Sequence, residues 1–259
     1  KYSIGTLSRG YGRKTKGFIL ADKYVSANEI GDEPMQFYQK FSPDLAVAVG
    51  EKRVPALDEL LNLKPNLNLI LLDDAYQHRY ITPLVNILLT SFHDLFYDDF
   101  VLPSGNLREL RKGANRADVV IVTKCAKEIG TEVQGKIKGE IQKYTKQGTQ
   151  VLFSYIDYGA LYNYNREAVT SLNNVVVLAG IADNEMFFDK VKEKYNVLDT
   201  LSFQDHHNYS QKEIDQIESL LANSDESIGI LTTEKDFVRL KALYLPAKVK
   251  QNLYFWPIE

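Results

Sequence analysis

Short runs of unbroken apolar residues recur along this chain, separated by stretches of helical periodicity, and that alternation leaves few folds open. The runs fall at residues 2–7, 45–49, 67–72, 85–90, 118–122, 150–156, 174–179 and 227–232. A strand wet on one face alternates apolar with polar residues. A strand covered on both faces does not, so these runs predict the buried strands of a mostly parallel sheet. Helices are predicted between them at 33–41, 51–63, 131–144, 184–195 and 211–222. In the fourth of these, Phe187, Phe188, Val191 and Tyr195 recur at helical spacing and share one face. Strand–helix–strand alternation is the pattern of an α/β architecture, in which ligands collect beyond the carboxyl ends of the strands.

The rhythm breaks at 151–166, where two tyrosine-rich runs at 152–155 and 160–164 flank Asp157-Tyr158-Gly159 and predict a hairpin. A fresh strand–loop–helix cycle begins at Asn174. The expected organisation is an α/β domain at 1–149, a β-hairpin linker at 150–168 and a second, smaller α/β domain at 169–248. A last strand at 249–259 would return to the linker.

Composition narrows the function classes. Hydrophobic residues at 44% and charged residues at 25% describe a globular chain, which excludes disorder. Lys and Arg total 31 against 34 Asp and Glu, a net charge of −3, so no general affinity for nucleic acid is expected. The single cysteine, Cys125, excludes an intrachain disulfide. No apolar run approaches the roughly 20 residues that span a bilayer, and no secretory signal opens the chain.

The most informative local pattern is Leu69-Ile70-Leu71-Leu72-Asp73-Asp74. A buried strand that ends in carboxylates places them at the sheet edge, where they can hold Mg²⁺ as a Walker B element does. The same pattern also describes a strand followed by an acidic turn. Gln77-His78-Arg79 comes within a few residues and adds an amide, an imidazole and a guanidinium to that edge. Leu7-Ser8-Arg9-Gly10-Tyr11-Gly12-Arg13-Lys14 reads as an anion-binding loop or as a solvated turn. It is not the dinucleotide fingerprint, because Thr15 stands where the third glycine belongs. Gly31-Asp32-Glu33-Pro34 suits a helix start, with Asp32 as a cap or as a functional carboxylate. The loop at 102–109 carries Arg108, and Arg111, Lys112 and Arg116 follow on what reads as a solvated basic helix. His206 and His207 precede a helix that Ser210 would cap, and they are too sparse in partners for zinc. Thr233-Glu234-Lys235-Asp236 reads as a helix N-cap or a ligand-facing loop.

The ordered set is more specific than its members. Ser8-Arg9-Gly10-Tyr11-Gly12, Gly31-Asp32-Glu33-Pro34, Asp73-Asp74-Ala75-Tyr76-Gln77-His78-Arg79 and Leu102-Pro103-Ser104-Gly105-Asn106-Leu107-Arg108-Glu109 are followed by Ala179-Gly180-Ile181, Phe187-Phe188, Asp205-His206-His207 and Thr233-Glu234-Lys235-Asp236. This series, running end to end, resembles the tetraacyldisaccharide 4′-kinases, the lipid A 4′-kinases. The resemblance implies a P-loop kinase with two α/β domains and a two-stranded linker. It implies ATP and Mg²⁺, with an acylated disaccharide 1-phosphate as substrate, phosphorylated at its 4′-hydroxyl. It also implies a peripheral location on the cytoplasmic face of the bacterial inner membrane, and a monomer is the default expectation. By the same resemblance Asp32 is the catalytic base and His206 its hydrogen-bonded partner from the second domain. Glu33, Asp73 and Asp74 then lie at the metal, and Arg9, Tyr11, Gln77, His78 and Arg108 bind substrate or phosphate.

Departures from the family pattern, Ala75, Asn106 and Ala182-Asp183-Asn184, delete none of these groups. No Gly-x-x-x-x-Gly-Lys-[Ser/Thr] occurs in the 259 residues, which open at Lys1 without an initiator Met. The family carries that loop ahead of the Ser-Arg-Gly-Tyr stretch, so the expectation is that it lies upstream and that this polypeptide alone has little kinase activity. Two other readings are a non-catalytic relative that binds glycolipid or nucleotide, and a nicotinamide-dependent enzyme. The absent fingerprint speaks against the last.

Overall fold

The computed structural model describes residues 2–222 and 228–259. Lys1 and Ser227, the first residue of the eighth predicted strand, lie outside the described residues. In chain order the elements are β1 (Ile4–Ser8), β2 (Ile19–Leu20), α1 (Ala27–Ile30), α2 (Asp32–Phe41), β3 (Leu45–Val49), α3 (Arg53–Leu63), β4 (Leu69–Leu72) and β5 (Ile87–Ser91). A 3-10 turn (Arg111–Arg116) leads to β6 (Val119–Cys125), α4 (Thr131–Gln142), β7 (Gln150–Tyr155), β8 (Leu161–Asn163), β9 (Ala168–Val169) and β10 (Asn174–Ala179). The chain continues through α5 (Asn184–Lys192), β11 (Asn196–Ser202), α6 (Gln211–Ala222), β12 (Ile228–Thr233), α7 (Glu234–Lys241), α8 (Ala247–Asn252) and β13 (Leu253–Trp256).

The architecture is mixed α/β with parallel sheets, as the apolar runs imply. Two compact units form, one from Lys1–Asp73 together with Tyr158–Glu259, the other from Asp74–Asp157. In the first unit, β2-β3-β1-β4 make a sheet in which β1 runs parallel to β3 and β4. A second sheet of that unit has the order β11-β10-β12-β13-β8-β9, parallel from β11 through β13. The second unit holds the parallel sheet β5-β6-β7, with Val120, Val122, Ile137 and Ile141 in its core.

The hairpin predicted between 152–155 and 160–164 does not form. β7 pairs with β6, whereas β8 pairs with β13 and β9. Each strand follows its own core: Val151 is buried with Val120 and Ile141, and Leu161 with Trp256 and Val177. The antiparallel turn sits one step later, between β8 and β9. There the Asn163 side chain accepts from the backbone N–H of Asn165 and Glu167, each at 3.0 Å, and Arg166 adopts a φ of 65°. The tyrosines that suggested the hairpin pack on other rings instead, Tyr162 stacked on Phe255 and Tyr158 tilted against Trp256.

Within the second sheet of the first unit, α6 buries Ile214, Ile217 and Leu221 against Phe237 and Phe255, whose rings stack 4.3 Å apart. Ile217 is 1% exposed, so Ile217→Val should lower stability by about 1 kcal/mol without altering the fold, read as a lower urea midpoint at unchanged slope.

One contact fixes the candidate site. Helix α2 packs on α7, although the two lie some two hundred residues apart in sequence. Val238 of α7 is buried with Ile30, Met35 and Val49. Beside that apolar patch, Glu234 is 4% exposed and accepts from Gln36 Nε2 at 2.9 Å and Arg166 Nη1 at 3.3 Å. Arg239, 8% exposed, reaches Asp32 on α2. The start of α2 is thereby pinned to α7.

Candidate active site

Two loops bring this site together before any side chain acts. Gly10 and Gly31 both have positive φ, 71° and 95°, where a side chain is strained. A Cβ on Gly10 would lie 2.7 Å from the Ile30 carbonyl oxygen, and one on Gly31 would lie 2.9 Å from that of Tyr11. Only glycines allow the loop after β1 to lie directly on the backbone that enters α2. Asp32 and Glu33 then occupy the first turn of α2, where the free N–H groups and the helix dipole favour carboxylates. Pro34 is tolerated there because its missing N–H is one that would have no helical partner.

The Asp32 carboxylate is half-buried, and its strongest partner is Arg239, whose Nε donates to Oδ2 at 2.6 Å. The same guanidinium donates through Nη1 to the Gly180 carbonyl at 2.8 Å and to Asp236 Oδ1 at 2.9 Å, and its Nη2 lies 3.2 Å from His206 Nδ1. Burial draws the Arg239 pKa down, but Asp32 and Asp236 outweigh it and hold the guanidinium above its ordinary value. His206 Nδ1 stands 3.8 Å from Asp32 Oδ2, longer than a hydrogen bond. Tyr11 packs its ring 5.2 Å from that of His206. Glu33 pairs with Lys235 Nζ at 3.1 Å, and Arg9 is exposed on the loop after β1.

Asp236 anchors this arrangement. It is fully buried and accepts from Gly180 N–H, Tyr209 O–H and Thr233 O–H at 3.0, 3.1 and 2.8 Å, as well as from Arg239. Burial, then the charge of Asp236, pushes the Tyr209 phenol well above its ordinary value, so it stays a donor. Thr233 caps α7, accepting from the Asp236 N–H at 3.1 Å.

The adjacent histidines part company. His206 has a φ of 58° and turns toward Asp32 and Arg239, whereas His207 stacks on Phe203 and bonds Glu213 at 2.6 Å. Burial opposes ionisation of Glu213, yet hydrogen bonds from the Ser210 N–H, from His207 and from the Ser210 hydroxyl leave its carboxyl below the ordinary value. A depressed folded pKa stabilises the fold above the unfolded pKa, and that stability is lost as pH falls through the folded pKa. Stability should therefore decline below about pH 4.5, and Glu213→Gln should flatten that acid limb in urea titrations at successive pH values.

Asp73 follows β4, and its N–H donates to the Leu7 carbonyl at 3.1 Å, which seats it at the carboxyl end of the first sheet. Arg53, 3% exposed at the start of α3, donates to the carbonyls of Gly50 and Asp73. It ties the ends of two loops at that edge. In the other compact unit, Asp74 has a φ of 44°, and both of its carboxylate oxygens lie 3.0 Å from Arg108 Nη1. Gln77 donates to Glu109 at 3.3 Å, and Glu109 also accepts from Arg79 and Arg116 at 2.9 and 2.6 Å. Burial works against ionisation of Glu109, but these arginines keep its carboxyl below the ordinary value. His78 sits in the turn after Ala75, half-buried. The predicted basic helix is a 3-10 turn whose Arg116 stacks on Tyr76 at 4.6 Å and pairs with Glu109.

Sequence reasoning missed Arg239 and Arg53, and it quoted Asp236 and Glu109 only as members of motifs, with no organising role. Their signal was faint because each reads locally as an ordinary residue of an amphipathic helix or loop.

A family model described as LpxK, tetraacyldisaccharide-1-P 4′-kinase, matches residues 1–259. The chain belongs to that family. It is therefore a kinase, and one of lipid A synthesis. The tetraacyldisaccharide 4′-kinase of Flavobacterium johnsoniae is 44% identical over the whole of this chain and 74% of its own length. That of Cytophaga hutchinsonii is 39% identical, covering all of this chain and 73% of its own. Among solved structures, an "apo" form of LpxK from Aquifex aeolicus in complex with ATP superposes with a TM-score of 0.71 at 28% identity, covering 98% of this kinase and 73% of that chain. Among the described residues of this kinase, no helix is long and apolar enough to cross a membrane. Among the same residues, no group of three or more His, Cys, Asp or Glu is arranged to hold a metal ion.

Proposed function

We propose that this kinase transfers the γ-phosphate of ATP to the 4′-hydroxyl of a tetraacyldisaccharide 1-phosphate, with Asp32 as the base. The observation that carries the reading is the carboxylate of Asp32, half-buried at a helix start and held in one orientation by Arg239 with His206 beside it. Phosphoryl transfer asks a protein mainly for positioning and charge. Asp32 Oδ2 is occupied by Arg239, which leaves Oδ1 to accept the proton of the attacking hydroxyl. Tyr11 and Arg9, on the loop laid against α2, would line the acceptor, and His206 would tune the base.

Mg²⁺ commonly takes only one or two protein carboxylates and fills its octahedron with water and phosphate oxygens. Asp73, at the carboxyl end of a parallel strand, fits that role without a three-acid cluster. By the family resemblance Asp74 would also serve the metal and Arg108 a phosphate, each after their mutual ion pair opens. When bound, the ion would neutralise charge on the transferring phosphoryl group. Glu33 would act near the metal only after leaving Lys235. By the same resemblance Gln77 and His78 would bind substrate or phosphate. ATP use is supported by the Aquifex complex. The wider reading keeps a P-loop-type domain and a second α/β domain, although the sequence bounds 1–149, 150–168 and 169–248 do not follow the two compact units. It also keeps a monomer peripheral to the cytoplasmic face of the inner membrane. The deciding assay is ATP-dependent phosphorylation of the disaccharide 1-phosphate, run on these 259 residues and on the product of the complete coding region side by side. Absence of 4′-phosphate product from the latter would overturn the reading.

A further inference from the structure

We propose that residues 98–112 form a lipid-facing loop that seats this kinase on a bilayer bearing anionic headgroups, through Phe100, Leu102 and Leu110. The proposal deepens the peripheral location given above and rests on it; it is independent of Asp32 as the base.

Three large apolar side chains stand out of this one loop. Phe100 is 62% exposed, Leu102 61% and Leu110 69%. Single exposed apolar residues are ordinary on a protein surface, whereas a group of them marks an interaction site. Loose chain is not the cause, because the loop is tied at several points. Val101 and Leu107 form a bridge, with the Leu102 N–H donating to the Leu107 carbonyl at 3.1 Å and the Leu107 N–H to that of Phe100 at 3.0 Å. Leu107 itself packs against the core of the Asp74–Asp157 unit. The Asp99 carboxylate accepts from the Phe100 and Asn106 N–H groups at 2.7 and 3.0 Å. Gly105 lies so close to Asp99 and the Phe100 backbone that a Cβ there would collide with both. Side chains alternate along an extended strand, so Phe100 and Leu102 flank Val101 on one face. The backbone bonds thus hold apolar tips in water, and a lipid surface would relieve that exposure.

The charges around the tips select the lipid. Arg111 donates through Nε to the Asp99 carbonyl at 2.9 Å, and its guanidinium lies over the Phe100 ring, 5.1 Å from the centroid. Lys112, next in the chain, is exposed. Of the three carboxylates in this stretch, Asp99 is engaged by the loop backbone and Glu109 by Arg79 and Arg116. Asp98 alone is exposed, and Arg108 is paired with Asp74. Apolar side chains at the acyl boundary, with a guanidinium and an ammonium at the level of the phosphates, make an interfacial anchor for an anionic surface.

Leu102→Trp in the full-length kinase gives the loop its own fluorophore, read as the difference from wild type. On vesicles of phosphatidylethanolamine and phosphatidylglycerol its emission should shift to the blue, and lipids brominated on their acyl chains should quench it. The triple variant Phe100→Ser, Leu102→Ser, Leu110→Ser should bind the same vesicles roughly 10-fold more weakly in sedimentation. Its kcat on detergent-dispersed substrate should stay within about twofold of wild type. Vesicle binding without quenching of the Leu102→Trp signal overturns the loop and leaves the peripheral location standing. Absence of vesicle binding by the wild type overturns both. A dimer in sedimentation equilibrium that the serine variant dissociates would place a second copy of the chain on these side chains and overturn the proposal equally.

Discussion

Asp32→Ala in the full-length kinase should lose about 10³-fold or more in kcat, the contribution expected of a positioned general base, while the protein stays folded. The structure explains why the fold survives. Asp32 is only half-buried, and removing its carboxylate leaves Arg239 still bonded to Asp236 and the Gly180 carbonyl. The cost in stability is that of one charge-assisted hydrogen bond, about 1.5–3 kcal/mol. Initial rates of 4′-phosphorylation with thermal melts on the same samples would separate the two effects. A variant with near-wild-type turnover would eliminate Asp32 as the base.

The largest loss of stability should come from Asp236→Ala. Its carboxylate is fully buried and satisfies four donors, from Gly180, Tyr209, Thr233 and Arg239. Breaking a buried ion pair by deleting one member costs about 3–5 kcal/mol; here Arg239 keeps only Asp32 as a carboxylate partner, and the Tyr209 hydroxyl is stranded as well. Asp236→Asn keeps the shape and part of the hydrogen bonding, so it should fall between wild type and alanine in urea unfolding. Turnover should fall in both variants, since Arg239 loses the anchor that aims it at Asp32. An alanine variant with an unchanged urea midpoint would show that the network carries little of the fold.

Much of the fold was legible because periodicity is a local property. The runs at 45–49 and 174–179 coincide with β3 and β10, and the helix face of Phe187, Phe188 and Val191 is buried as its spacing requires. The hairpin was misread for the opposite reason. Tyrosine-rich strands around an Asp-Tyr-Gly turn satisfy every local criterion, but pairing partners are chosen by the sheets available, and β7 and β8 each had a better one.

The site divides along the same line. Residue types and order in the chain determined the family, the α/β class and the candidates Asp32, Asp73, Asp74 and His206. Sequence could not rank His206 against His207, since both are imidazoles one residue apart. The tertiary structure ranks them, turning one to Asp32 and Arg239 and the other to Glu213. Nor could it reveal Arg239, 207 residues from the carboxylate it holds. A hydrogen bond needs two groups within about 3 Å at a set angle. Only the packing of α7 on α2, driven by the burial of Val238, Ile30 and Met35, brings that pair together.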